Sequence, residues 1–75
     1  MITKAQSFSI KNMTTWFIYL DILRDSGITN MFGAAPYLRE RFSLSKDDAS
    51  KVLQLWMKTF DDRPVEHRAL DAVKP

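Results

Sequence analysis

The apolar spacing of residues 45–60 is the feature that most constrains how this chain can fold. Side chains there recur at steps of three and four residues, which is the repeat of one face of an α-helix. The apolar positions of that face are Ala49, Val52, Leu53, Trp56 and Phe60. Ser45 can accept a hydrogen bond from the backbone N–H three residues on, and Asp48 can reach back to it. The sequence therefore predicts a helix over residues 46–60 with one side in a core.

Two further helices are predicted before this one. The first covers residues 14–26: Asn12 or Thr14 can cap its start, and Gly27 stands where a left-handed residue would end it. Its inner face comprises Trp16, Tyr19, Leu20 and Leu23. The next covers residues 34–42, because Pro36 lacks a backbone donor and is best tolerated in a first helical turn. The core candidates around this helix are Met31, Phe32, Leu38 and Phe42.

The two ends of the chain are predicted to flank these helices. Residues 1–13 form an N-terminal arm, in which residues 6–11 alternate apolar and polar positions and are expected to be extended against the core. Residues 61–75 form a tail or a short helix that Asp61 or Asp62 can cap, with Pro64 near its first turn. The predicted fold is all-α: a compact three-helix orthogonal bundle over residues 14–60, with the arm and the tail on either side.

Composition limits what can stabilise such a fold. The chain has 75 residues, is 45% hydrophobic and contains no cysteine. A chain this short forms only one small core, and without cysteine it has neither disulfides nor thiolate metal sites to stabilise it. Helix packing or self-association must therefore supply that stability. An excess of apolar positions in residues 53–60, more than one protomer can bury, favours a homodimer.

Residues 1–9 contain no long apolar run and the apolar run of residues 16–23 is interrupted by Asp21, so neither a signal peptide nor a membrane span is expected. The predicted location is cytoplasmic, which the absence of cysteine fits.

Residues that could carry chemistry are few. His67 is the single histidine, so one chain cannot assemble a histidine-based nucleophile or a multi-histidine metal site. The carboxylate pairs at residues 47–48 and 61–62 stand where helix caps belong. Gly27 and Gly33 are the only glycines and make no phosphate-binding loop. The sequence predicts no catalytic residue, metal, cofactor or small-molecule substrate, and hence a non-enzymatic protein.

Residues 35–58 resemble a helix-turn-helix domain. The buried positions of that family match Leu38, Phe42, Leu44, Ala49 and Val52. Arg39 and Ser43 depart from it, since the family has alanine and glycine there. The resemblance implies that residues 45–54 begin a recognition helix in the DNA major groove. The implied nucleic-acid-binding residues are Arg39, Arg41, Lys46, Ser50, Lys51 and Gln54. Two features oppose DNA binding: Asp47 and Asp48 would repel phosphates, and the net charge is only +2. The alternative is a helical corner that serves only in packing.

A second resemblance covers most of residues 19–60. The blocks that carry it are YLDILRDSGITNMFGAAPYL at residues 19–38 and LWMKTF at residues 55–60. They are similar to a group of short bacteriophage proteins that has no assigned activity. This resemblance implies a phage or prophage origin and favours a small regulator or a host-factor binder.

Apolar side chains outside the predicted inner faces indicate a binding surface. These residues are Phe17, Tyr37, Leu55 and Met57. Three short helices cannot cover all of them, and clustered exposed aromatic and methionine side chains are typical of protein interfaces. The leading hypothesis is a phage-type regulator that binds a protein partner or itself through a helical face. The alternative hypothesis is a helix-turn-helix regulator that binds DNA.

Overall fold

The computed structural model describes residues 8–73, and all regular structure in that range is helical. Helix α1 spans Ile10–Ser26, α2 spans Ala35–Phe42, α3 spans Lys46–Thr59 and α4 spans Val65–Val73. A 3-10 turn at Met31–Gly33 lies between α1 and α2. The predicted all-α class is confirmed. The start of the predicted arm (residues 1–7) and the last two residues of the predicted tail (74–75) lie outside the described residues.

Helix α1 begins earlier than the sequence predicts. Ser9 is extended, and its side-chain oxygen accepts a hydrogen bond from the Asn12 backbone N–H at 3.2 Å. Asn12 and Thr14 were predicted as the cap, and this is wrong because both lie inside the helix, where the Thr14 hydroxyl donates to the Ile10 carbonyl at 2.7 Å. The predicted arm is correspondingly too long, since Ile10 and the residues after it are helical. Phe8 does pack on the core, edge-on to Trp16 with ring centroids 5.7 Å apart.

The other helix ends follow local sequence signals. Gly27 ends α1 with φ of 70°, the left-handed conformation predicted for it. Ser45 caps α3 by accepting a hydrogen bond from the Asp48 backbone N–H at 3.1 Å, as predicted. Between α2 and α3 the chain turns at Ser43, which is left-handed with φ of 58° and ψ of 37°. This conformation is unusual for a residue with a Cβ.

Helix α4 belongs to the core and makes the fold four-helical instead of three-helical. It packs against α1 and α3, and its contact with α1 is the most extensive between any two of the helices described. The prediction described residues 61–75 as a tail or a short helix beside the helical domain. A short helix is present, and it is part of the core, because Ala69 is fully buried and Arg68 nearly so. Val65 and Val73 at the two ends of α4 are partly buried against the core, and Leu70 is exposed.

The core draws on every helix. Its residues are Met13, Trp16, Phe17, Leu20, Leu23, Ala34, Leu38, Leu44, Ala49, Val52, Leu53, Trp56 and Ala69. Phe32 was predicted to belong to it and instead is 87% exposed. Successive residues of a 3-10 turn point about 120° apart, so the turn that partly buries Met31 directs Phe32 outward. Within residues 8–73, no helix combines the length and apolarity needed to cross a bilayer.

Candidate interaction surfaces

Helix α1 carries apolar side chains on both of its sides. Its inner side contributes Met13, Trp16, Phe17, Leu20 and Leu23 to the core. Its outer side carries Ile18 and Ile22, which are 44% and 60% exposed. At 100° per residue these two isoleucines lie on the face opposite the core. A surface helix normally presents polar residues there, so α1 has an apolar face that the described fold leaves open.

The outer face of α1 continues the spacing of its two isoleucines in both directions. The residues at alternating steps of four and three are Lys11, Thr15, Ile18, Ile22 and Asp25, and all five are exposed. We call this line of residues the outer seam. Its centre is apolar, its N-terminal end is basic and its C-terminal end is acidic. Just beyond the end of α1, the connection to α2 adds the exposed side chains of Ile28 and Phe32.

The four residues predicted to form a protein interface do not form one cluster. Phe17 has 0% exposure, so the prediction that it lies on the surface is wrong. The physical reason is a rotation of α1: the inner face extends to Met13 and Phe17, while Tyr19 is only partly buried. Tyr37, Leu55 and Met57 are half-buried against the core. Leu55 and Met57 are two residues apart on α3 and therefore point to opposite sides of that helix.

The outer face of α3 is polar, in contrast to that of α1. A shallow groove of about 390 Å³ runs along it. Its lining residues are Asp47, Ser50, Lys51, Gln54, Leu55 and Lys58. The Gln54 amide donates to the Ser50 hydroxyl at 3.5 Å. This face can offer amide, hydroxyl and ammonium groups to a ligand, with one carboxylate among them.

The structure brings together part of the set predicted to bind nucleic acid. Ser50, Lys51 and Gln54 line the same groove. Lys46 is exposed at the start of α3. Arg39 and Arg41 are exposed in the last turn of α2, where the Arg41 guanidinium lies 4.9 Å from the centre of the Phe42 ring.

A polar contact that sequence reasoning missed joins three helices. The Asp21 carboxylate of α1 accepts hydrogen bonds from Trp56 Nε1 of α3 at 2.9 Å and from the Arg68 guanidinium of α4 at 2.7 and 3.2 Å. The Arg68 side chain is only 5% exposed, whereas that of Asp21 is 30% exposed. The interruption of an apolar run by Asp21 was the one signal in the sequence. Its partners lie 35 and 47 residues away, beyond the reach of local pattern.

The charges before α4 are arranged as a small network. The Arg63 side chain pairs with Asp61 and with Asp71, each at 2.7 Å. The Arg63 backbone N–H also donates to Asp61 at 2.9 Å, and chiefly this bond holds the pKa of the Asp61 carboxyl below its usual value. The hydrogen bonds to Asp71 and Asp61 raise the pKa of Arg63. These groups fix the turn that leads into α4.

The remaining ionisable groups are dispersed. His67 is exposed on α4. Across residues 8–73, no three His, Asp or Glu side chains gather closely enough to hold a metal ion. Comparison with protein-family models, with curated proteins and with solved structures gives no match for this chain. The surfaces must therefore be interpreted from their own chemistry.

Proposed function

We propose that this chain is a small non-enzymatic protein that acts by binding another protein through the outer face of α1. The observation that carries the proposal is the exposure of Ile18 and Ile22 at the centre of that face. Fully burying an exposed isoleucine side chain contributes about 1.5–3 kcal/mol, and a partner that covers the exposed parts of Ile18 and Ile22, 44% and 60%, gains about that amount in total. Neighbouring exposed apolar side chains on a small domain are typical of a protein-binding site.

The biological setting that we propose is a regulator or host-factor binder of phage type. The resemblance of residues 19–38 and 55–60 to short bacteriophage proteins supports this setting. The first of these blocks contains Ile22, Ile28 and Phe32, three of the most exposed apolar residues among positions 8–73.

A photo-reactive amino acid placed on α1 tests the proposal directly. We expect the variant with the cross-linker at position 22, expressed in bacteria and irradiated, to form discrete protein adducts. The matched control carries the cross-linker at position 54, on the polar outer face of α3. Adducts at position 22 that disappear when Ile18 is also changed to Asp support the proposal. A chain that forms no adduct at position 22 contradicts it.

DNA binding by α2 and α3 as a helix-turn-helix pair is the second candidate function. It is supported by the left-handed conformation of Ser43, at the position where that family has glycine. The burial of Leu38, Leu44, Ala49 and Val52 is also consistent with the family's pattern. In this proposal, the outer face of α3 enters the major groove with Ser50, Lys51 and Gln54 toward base edges, and Arg39, Arg41 and Lys46 contact phosphates. Asp47 opposes such binding, which is why we place this function second.

A titration of duplex DNA at two salt concentrations tests the second candidate. We expect affinity to fall as salt rises, with a shallower salt dependence for Lys51→Ala than for the original chain. Lys11→Ala is the matched control, because it removes one exposed lysine from a different face. Absence of any binding at low salt, where phosphate contacts are strongest, would remove this candidate.

A further inference from the structure

We propose that the occupant of the outer seam is a second copy of this chain, packed antiparallel through α1. The inference rests on the proposed function, because it names the partner of the same surface. In the resulting dimer, Ile18 of one protomer lies against Ile18 of the other at the centre, and Ile22 of each lies beside Thr15 and Ile18 of its partner. Lys11 of each protomer lies near Asp25 of its partner at the two ends of the contact.

The spacing of the seam is that of a helix–helix contact. Steps of four and three residues keep side chains facing one neighbouring helix along several turns, which is the repeat of paired helices. Residues 11, 15, 18, 22 and 25 follow these steps without a break, and each is exposed in the single chain. Helix α1 has 17 residues and is about 25 Å long, which is sufficient for two helices to pack along their length.

The charges of the seam select both the partner and its direction. With Lys11 at one end and Asp25 at the other, the seam is complementary to its own reversed copy. An antiparallel pair places the ammonium of each Lys11 near the carboxylate of the opposite Asp25. A parallel pair would instead bring two lysines together at one end and two aspartates at the other, which is unfavourable.

The polar groups of the seam tolerate this contact. The Thr15 hydroxyl donates to the Lys11 carbonyl at 3.1 Å, so it keeps a hydrogen-bond partner when the seam is covered. Asp25 pairs only loosely with Arg24, at 3.5 Å with both side chains largely exposed, and is therefore able to re-pair across the contact.

The area that a stable dimer must bury determines how much of each chain the contact has to cover. A specific interface buries at least about 1,000 Å² in total, which requires roughly one tenth of each chain's 5252 Å². The outer seam supplies the centre of that area. In the antiparallel arrangement, the exposed Ile28 and Phe32 at the end of α1 lie toward the N-terminal end of the partner's α1 and extend the contact.

Cysteine cross-linking tests the direction of packing. The chain contains no cysteine, so each introduced thiol is unique. An equimolar mixture of Lys11→Cys and Asp25→Cys chains should cross-link efficiently with a short thiol-specific reagent. Each variant alone should cross-link poorly, because identical positions lie about 20 Å or more apart along an antiparallel pair. Gln54→Cys is the control on another face. Efficient cross-linking of Lys11→Cys alone, with little in the mixture, would overturn the antiparallel arrangement.

Sedimentation of the full chain tests the association itself. We expect concentration-dependent dimerisation that Ile22→Asp weakens by at least about tenfold, because it buries an unpaired charge at the centre of the contact. Lys11→Glu and Asp25→Lys should each weaken the dimer, and the double variant should regain most of the loss. Lys51→Glu should leave it unchanged. Circular dichroism of Ile22→Asp checks that the monomer remains folded.

The outcomes separate this inference from the proposed function. A chain that stays monomeric at all concentrations overturns the self-association, whether or not another partner exists. If such a chain still forms adducts with a different protein at position 22, the proposed function stands and only the choice of partner fails. A monomer without adducts at that position contradicts both.

Discussion

Asp21 is the residue whose side-chain hydrogen bonds join three of the four described helices. Its carboxylate accepts hydrogen bonds from an indole of α3 and a guanidinium of α4, although it belongs to α1. Hydrogen bonds to a charged acceptor are stronger than neutral ones, and both donors come from side chains that are almost fully buried. The fold therefore depends on a polar contact at the edge of an apolar core.

Removing this carboxylate should destabilise the protein measurably. We expect Asp21→Ala to lower the free energy of unfolding by about 2–4 kcal/mol, since it leaves Arg68 as a buried charge without its partner and Trp56 Nε1 without an acceptor. The range allows for the partial exposure of Asp21. Asp25→Ala, on the outer side of the same helix, should change stability by about 0.5 kcal/mol or less. Chemical denaturation of both variants gives the comparison, and equal losses would contradict the assigned role.

Ser43 carries a backbone strain that glycine would relieve. A residue with a Cβ in the left-handed region is strained by about 1–2 kcal/mol, and glycine removes this strain. Part of the gain in stability is lost again, because glycine raises the conformational entropy of the unfolded chain. We expect Ser43→Gly to raise the free energy of unfolding by about 0.5–1 kcal/mol. Thermal or chemical denaturation measures the change. A loss of stability would mean that the Ser43 side chain makes a contact that outweighs the strain.

At the scale of the helices, the parts predictable from sequence are those that depend on neighbouring residues. The Ser45 cap predicts the start of α3, apolar spacing predicts its buried face, and Gly27 predicts the end of α1. The true start of α1 was missed, because Asn12 and Thr14 were the predicted cap candidates and Ser9, which can also cap a helix, was not considered.

The burial of α4 was missed, although Val65, Ala69, Ala72 and Val73 recur at helical steps and pack in or against the core. The ion-paired Arg68 beside them is not a position that periodicity detects.

The entry into α4 should be sensitive to acid. The pKa of Asp61 is depressed in the folded protein, mainly by the backbone N–H of Arg63. The ionised Asp61 carboxylate therefore contributes its full stabilisation above the usual pKa of 3.8, and this contribution is lost as the pH falls through the lower pKa of the folded protein. We expect Asp61→Asn to lose less thermal stability than the original chain between about pH 5 and about pH 2. Parallel melting curves followed by circular dichroism test this, and identical acid dependence would contradict it.

At the scale of the whole molecule, the outer face of α1 is apolar at its centre, whereas the outer face of α3 is polar. Ser50, Lys51 and Gln54 line one groove, as the spacing of a single helix face requires. It did not identify the outer seam of α1, since Ile18 and Ile22 could be assigned outward only after the rotation of α1 against α4 was known. The exposure of Phe17 was predicted wrongly for the same reason.

The thermal midpoint of the whole molecule should depend on its concentration. Association of folded protomers stabilises them by mass action, so the proposed dimer predicts a midpoint that rises as the chain becomes more concentrated. Ile22→Asp should abolish this dependence, whereas Lys51→Glu should retain it. Scanning calorimetry over a wide concentration range provides the measurement. A constant midpoint for the original chain would contradict the dimer.

The shared hydrogen bonds of Asp21 also govern how the chain comes apart. Because one side group serves donors from two other segments, lifting the last helix away would part the buried Arg68 cation from its carboxylate, leave the Asp21 anion with a single donor, and remove cover from the first helix as well. Backbone amides of the first and last helices should consequently exchange with deuterated solvent at similar slow rates, through one common opening event. A protease would then cleave within the four helices only when the entire fold opens.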